Sequence, residues 1–105
     1  MKVRSYYLDY DLYVKLYNYD SGNLCIQLVE KHHEPFCYLT VNFPYVASIT
    51  KKDLAFVDVN NFPEAEEFIR KYELGEPVGL SVQSGYCTYP LYKFNMKRLK
   101  EEMLK

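Results

Sequence analysis

The chain has 105 residues, of which 49% are hydrophobic and 26% charged, with a formal net charge of −1 and a pI near 6.1. This near-neutral balance argues against a duplex-DNA binder, which usually carries a basic stripe, and no apolar run approaches the about 18 residues of a membrane span. The length fits one domain over residues 1–105. The cysteine count is odd, no C-x-x-C motif is present, and the N-terminus lacks an apolar signal segment, so the sequence predicts a cytoplasmic protein.

The N-terminal part of the chain predicts three antiparallel strands. In residues 6–19 apolar and polar side chains alternate, which is the period of a strand with one buried side. Residues 20–22 are a hairpin loop, residues 23–31 a second strand, and residues 36–43 a third strand after a polar turn. The side chains expected to face the core are Tyr6, Leu8, Tyr10, Leu12, Val14, Leu16, Leu24, Ile26, Leu28, Cys37, Leu39, Val41 and Phe43.

The middle of the chain predicts one central helix. Residues 44–53 read as a loop in which one helical turn would fit, and residues 54–59 are a short apolar run typical of a buried strand. A helix is expected over residues 61–74, because Asn61 can cap its start and Gly75 can adopt the left-handed conformation after its end.

The C-terminal part predicts a second hairpin and a terminal helix. Residues 77–83 and 86–94 form the hairpin, and Pro90 places its strand at a sheet edge because proline cannot donate to a ladder. Leu80 is expected in the core, and residues 95–105 carry a helical apolar stripe. The whole pattern predicts an α+β fold, an antiparallel β-meander of about five to six strands packed on one central helix, with a C-terminal helix.

Register within the first three strands predicts an aromatic outer face. The 20–22 loop pairs Tyr13 with Val29, and a 32–35 loop would pair Val29 with Tyr38 and Lys31 with Phe36. The same counting pairs Lys15 with Gln27 and Tyr17 with Cys25. The predicted partner-binding residues on this face are Tyr13, Tyr17, Phe36 and Tyr38, with Asp11 and Lys31 around them.

Two structural interpretations compete with a binding role for that face. Outward Tyr and Val are good strand formers that pack on each other across strands. The terminal helix could also lie over the face and bury it. Otherwise, an aromatic patch rimmed by charge is typical of an interface centre.

Residue types that often carry chemistry are present without the spacing that chemistry needs. His32 and His33 are adjacent in a turn and have no spaced ligand partners, so a metal site is not expected. Cys25 is expected outward without a group to activate it. Asp58 lies in a turn before the helix and lacks a second carboxylate. We therefore predict no catalytic residues, cofactor or metal, and a protein that is not an enzyme.

Three stretches carry a family resemblance: TVNFP at 40–44, FVDVNNFPE at 56–64 and SGYCTYPLY at 84–92. Across about residues 23–95 the chain resembles a family of small uncharacterised proteins, a domain of unknown function, from Gram-positive gut bacteria and their mobile elements or phages. The resemblance implies a small accessory protein that works by stoichiometric binding. Its most concrete form would be a counter-defence, anti-CRISPR-like inhibitor whose partner is a bacterial defence nuclease of the Cas9 type.

Two other functions stay open at the level of sequence. A single-stranded nucleic-acid-binding accessory protein could stack bases on the tyrosines and use Lys15 and Lys31 for phosphate, although Asp9 and Asp11 lie in the same region. A small enzyme with an unrecognised site is the third.

Overall fold

The computed structural model describes residues 1–43 and 52–104, so most of the predicted 44–53 loop lies outside the described residues. The fold is α+β and mostly antiparallel sheet. None of the described helices is long and apolar enough to cross a membrane. The elements are β1 (Lys2–Ser5), β2 (Leu8–Asp11), β3 (Tyr13–Asn18), β4 (Leu24–Val29), β5 (Pro35–Tyr38), β6 (Thr40–Val41), β7 (Leu54–Val57), α1 (Ala65–Lys71), β8 (Gly75–Ser84), β9 (Cys87–Phe94) and α2 (Met96–Glu101).

The described strands form three antiparallel sheets with the orders β1-β2, β3-β4-β5 and β6-β7-β9-β8. The two larger sheets meet at Leu39, between β5 and β6. Its N–H donates to the Ile26 carbonyl on β4 at 2.8 Å, while its own carbonyl accepts from the Asp58 N–H at 3.0 Å. One bent segment therefore ties both sheets together.

The strand predicted over residues 6–19 is confirmed in part: Leu8–Asp11 and Tyr13–Asn18 are strands, but the chain reverses direction where the prediction began. Ser5 pairs with Leu8, so Tyr6 and Tyr7 form the turn of the β1–β2 hairpin with φ of 50° and 69°. Tyr6 and Leu8, which were expected to face the core, are exposed, and so is Tyr7. Turns with two positive φ values normally use Asn or Gly, so two tyrosines gave no turn signal, and alternation continued unbroken across the reversal.

The register between β3 and β4 agrees with the prediction, and the register between β4 and β5 does not. Tyr17 lies opposite Cys25, but Gln27 rather than Val29 lies opposite Tyr38. The turn is tighter than expected: the Glu30 N–H donates to the Glu34 carbonyl at 2.9 Å. The register of the β4–β5 pairing shifts between Leu28 and Val29, which accommodates the tighter turn.

Helix α1 begins later and ends differently from the prediction. Its N-cap is Glu64 rather than Asn61, because the Asn61 amide groups bond to the Asp58 carboxylate instead. At the other end Glu73 takes the left-handed conformation, with φ 56°, and the Leu74 N–H reaches the Ile69 carbonyl at 2.9 Å. This is a Schellman ending with a non-glycine residue.

Gly75, expected at that helix end, instead opens β8 opposite Phe94. A Cβ atom on Gly75 would lie 2.7 Å from the Lys93 carbonyl oxygen. Glycine is therefore required for close approach of two strands rather than for a positive φ.

The strand order also departs from a simple meander, since β9 lies between β7 and β8. Pro90 is thus in an internal strand, contrary to the edge prediction. The pairing of β9 with β7 ends at Leu91, so Pro90 lies one residue beyond the ladder that would need its N–H. Leu80 is exposed, because the register between β8 and β9 shifts between Pro77 and Ser81.

The main core cluster includes residues from β3, β4 and α1. Leu12, just before β3, and Val14 on its inward side belong to this cluster, and helix α1 contributes Phe68 and Ile69. A second, smaller cluster is centred on Phe43, Phe56, Tyr89 and Leu91. Because β4 is buried on its inner side and partly on its outer side, few outward positions on this sheet stay open.

Candidate binding surface: the tyrosine groove

A groove of about 510 Å³ runs across the outer side of the β3-β4-β5 sheet. Tyr17 on β3 is 45% exposed and Tyr38 on β5 is 49% exposed. We call this site the tyrosine groove; its lining is Tyr17, Asn18, Tyr19, Cys25, Gln27, Tyr38, Thr40, Val41, Asn42 and Asp58.

Strand register places the two tyrosines on one face with β4 between them. Tyr17 lies opposite Cys25, and Tyr38 lies opposite Gln27, two residues along β4. Residues two apart on a strand point to the same side, so both tyrosines project from the same face. The small Cys25 side chain, which is buried, leaves room between them.

Hydrogen bonds hold the wall of the groove in place. The Tyr19 hydroxyl lies 3.2 Å from both the carbonyl and the Oγ1 of Thr40, and Thr40 Oγ1 accepts from the Ile26 N–H at 3.0 Å. At one end, Asn42 Oδ1 accepts from Asn23 Nδ2 at 3.0 Å. A wall fixed in this way loses less side-chain entropy when a partner binds.

The charge of the groove comes from Asp58. This residue is only 6% exposed, and its carboxylate accepts from the N–H and Nδ2 of Asn61 at 3.2 and 2.9 Å. Within the described part of the chain no cationic side chain lies at ion-pair distance from it. None of the described lining residues is Lys or Arg, so the groove is a weakly acidic surface with aromatic walls.

The thiols in and near the groove are poorly suited to nucleophilic chemistry. Burial raises the pKa of the Cys25 thiol, and burial together with Asp58 and Glu64 raises the pKa of Cys37 to about 12. Since the thiolate is the nucleophile, both cysteines hold their protons at neutral pH. In residues 1–43 and 52–104, no three His, Cys, Asp or Glu side chains are grouped as metal ligands would be.

The structure brings two of the six predicted binding residues, Tyr17 and Tyr38, into one groove. Tyr13 is half-buried on the outward side of β3, opposite Val29. Val29, expected outward and open, is only 1% exposed. Lys31 is exposed in the turn after β4.

Asp11 and Phe36, like Tyr13 and Lys31, are not among the described residues that line the groove. Asp11 ends β2 and accepts a hydrogen bond from the Met1 amino group at 3.2 Å, which lowers the pKa of its carboxyl. The prediction that Phe36 faces outward is wrong. Its ring lies 4.8 Å from the Tyr10 ring and 6.0 Å from the Phe62 ring, because the register shift turns this end of β5 toward the core.

The prediction from sequence missed Tyr19, Asn42 and Asp58. Tyr19 stands at the mouth of the 20–22 loop, where its N–H donates to the Asn23 carbonyl at 2.9 Å. The available signal was that Tyr19, just after β3, continues the outward alternation of Tyr13, Lys15 and Tyr17. Asp58 follows β7 and reaches the groove only because the segment through Leu39 joins the two sheets. No local pattern carries that information.

Comparison with protein-family models shows to which family the chain belongs. The model described as a domain of unknown function (DUF4313) matches residues 1–104. The chain belongs to the DUF4313 family. The match extends beyond the 23–95 region that carried the resemblance and takes in the N-terminal hairpin and α2. No curated protein and no solved structure shows significant similarity to this DUF4313 chain.

Proposed function

We propose that this DUF4313 protein is a non-enzymatic binding protein that docks a protein partner in the tyrosine groove. The observation that carries the proposal is the pair of half-exposed tyrosines, Tyr17 and Tyr38, on a hydrogen-bonded sheet. Tyrosine is enriched in binding hot spots because a rigid ring with a polar tip gives large contact area at low entropic cost.

Counter-defence is the most specific version of this proposal, with a Cas9-type effector nuclease of the host as the partner. It is supported by the family resemblance of the three motifs and by a weakly acidic groove, which complements the basic surfaces of nucleic-acid-binding enzymes. Its context would be a mobile genetic element.

Single-stranded nucleic-acid binding is the alternative proposal, and the groove favours it less. Tyr17 and Tyr38 could stack bases. Asp58, however, places a carboxylate where a phosphate backbone would need cations. Salt-sensitive retention of a labelled oligonucleotide, lost on replacing the two tyrosines, would favour this alternative over the first.

Affinity capture with two matched variants tests the proposal. The tagged protein is exposed to bacterial lysate, bound proteins are identified, and binding of the recovered partner is then measured with purified components. The double variant Tyr17→Thr, Tyr38→Thr keeps strand propensity and should weaken the affinity for the partner by at least about tenfold. Tyr86→Thr removes an exposed tyrosine of the β8–β9 turn, outside the groove, and should leave affinity unchanged.

The specific version is tested directly with a Cas9-type effector. Excess protein should inhibit DNA cleavage by the effector, and the double variant should not. If the partner binds the double variant as tightly as the unchanged protein, the groove is not the binding site.

A further inference from the structure

The groove contains a carboxylate, that of Asp58, and none of the described residues places a cation at ion-pair distance from it. The Asp58 carboxylate is almost buried, and the two hydrogen bonds that it accepts come from the neutral amides of Asn61. Buried charges in folded proteins are usually paired, because an unpaired one is costly to remove from water. Asp58 lines the open groove and its carboxylate has acceptor capacity left, so a cationic group that enters the groove would be attracted to it.

The surroundings of Asp58 favour the same ligand chemistry independently. Tyr17, Tyr19 and Tyr38 line the groove with it, and aromatic faces attract cations through the ring quadrupole. Asn18 and Gln27 add amide oxygens that can accept hydrogen bonds. None of the described lining residues carries a positive charge, so nothing in the described lining repels a cation.

We infer that the tyrosine groove receives a cationic side chain, an arginine of the partner protein, with its guanidinium held between the tyrosine rings and the Asp58 carboxylate. This inference rests on the proposed protein-binding function and names the anchor that the groove selects. Arginine fits better than lysine, because its planar guanidinium can stack on a ring while donating to a carboxylate. The partner surface is thus basic at the contact.

The test uses two small probes that differ in charge. Nα-acetyl-arginine amide and Nα-acetyl-citrulline amide are nearly isosteric, but only the first carries a positive charge. Each is titrated into the full chain labelled with ¹⁵N, and backbone amide shifts are followed by NMR. The arginine probe should move the amides of Tyr17, Tyr38 and Asp58, with an affinity about twofold to thirtyfold higher than the citrulline probe.

Two variants separate charge from structure. Asp58→Asn removes the charge and should abolish the preference for arginine over citrulline. Asn61→Ala removes the hydrogen bond donated by Nδ2, leaves the one donated by the backbone N–H and keeps the carboxylate, so it should retain the preference. Its retention would show that loss in Asp58→Asn is not a consequence of a disturbed turn.

Several results would overturn the inference. These are equal shifts with the two probes, shifts confined to residues outside the groove, or no shifts with either probe. A captured partner that is lost with the Tyr17→Thr, Tyr38→Thr protein but binds Asp58→Asn normally would also overturn it. That last result would leave the proposed protein-binding function intact, so the two can fail separately.

Discussion

Thr40 is the residue whose replacement tests most directly how the two large sheets are joined. It is 1% exposed, and its Oγ1 accepts the Ile26 N–H at 3.0 Å, in the place of a backbone carbonyl of a neighbouring strand. Thr40→Val has nearly the same shape but no acceptor. The buried Ile26 N–H would then have no acceptor at that position.

The expected magnitude follows from these contacts. Leaving one buried N–H without a partner costs about 1–3 kcal/mol, so we expect Thr40→Val to lower the free energy of unfolding by about 2 kcal/mol. The Tyr19 hydroxyl loses less, because the Thr40 carbonyl at 3.2 Å remains available to it. Thr40→Ser keeps the acceptor, removes one methyl group and should cost only about 1 kcal/mol.

Urea denaturation measures the difference. With a slope of about 2 kcal/mol/M, Thr40→Val should shift the unfolding midpoint down by about 1 M and Thr40→Ser by about half as much. Hydrogen exchange adds a local readout, since the Ile26 amide should exchange faster in the valine variant than in the serine variant. If the valine variant is the more stable of the two, the hydroxyl is not the acceptor that joins the sheets.

Two further predictions concern strand contact and alkaline stability. Gly75→Ala would bring a Cβ within 2.7 Å of the Lys93 carbonyl oxygen, so it should lower thermal stability by the equivalent of about 1–3 kcal/mol; a melting temperature equal to that of the exposed-site control Glu76→Ala would contradict this. Burial raises the pKa of the Cys37 thiol from 9.0 to about 12, so between these values the folded thiol keeps a proton that the unfolded one loses. Stability should therefore fall as pH rises above about 9, and urea titrations from pH 7 to 11 should show a shallower fall for Cys37→Ala; an equal fall would exclude this thiol as a cause.

Part of the fold and of the site was predictable because some signals are local. The 20–22 loop ends in Gly22, whose φ of 88° suits a tight turn, so counting from it placed Tyr17 opposite Cys25 correctly. The same counting failed at the next turn. There His33 adopts a positive φ of 68°, which the count of loop residues did not take into account, and Phe36 packs against the core after the resulting register shift.

Alternation of apolar and polar residues established that β3 and β4 exist and which side of them is buried, because a period of two has one structural meaning. It could not show that the chain reverses at Tyr6 and Tyr7. Nor could it place β9 between β7 and β8, since strand order depends on contacts between residues far apart in the chain. The groove likewise depends on contacts between distant residues. Tyr17, Tyr38 and Asp58 come from separate segments, and the bend at Leu39 is what brings Asp58 to the tyrosine-lined sheet.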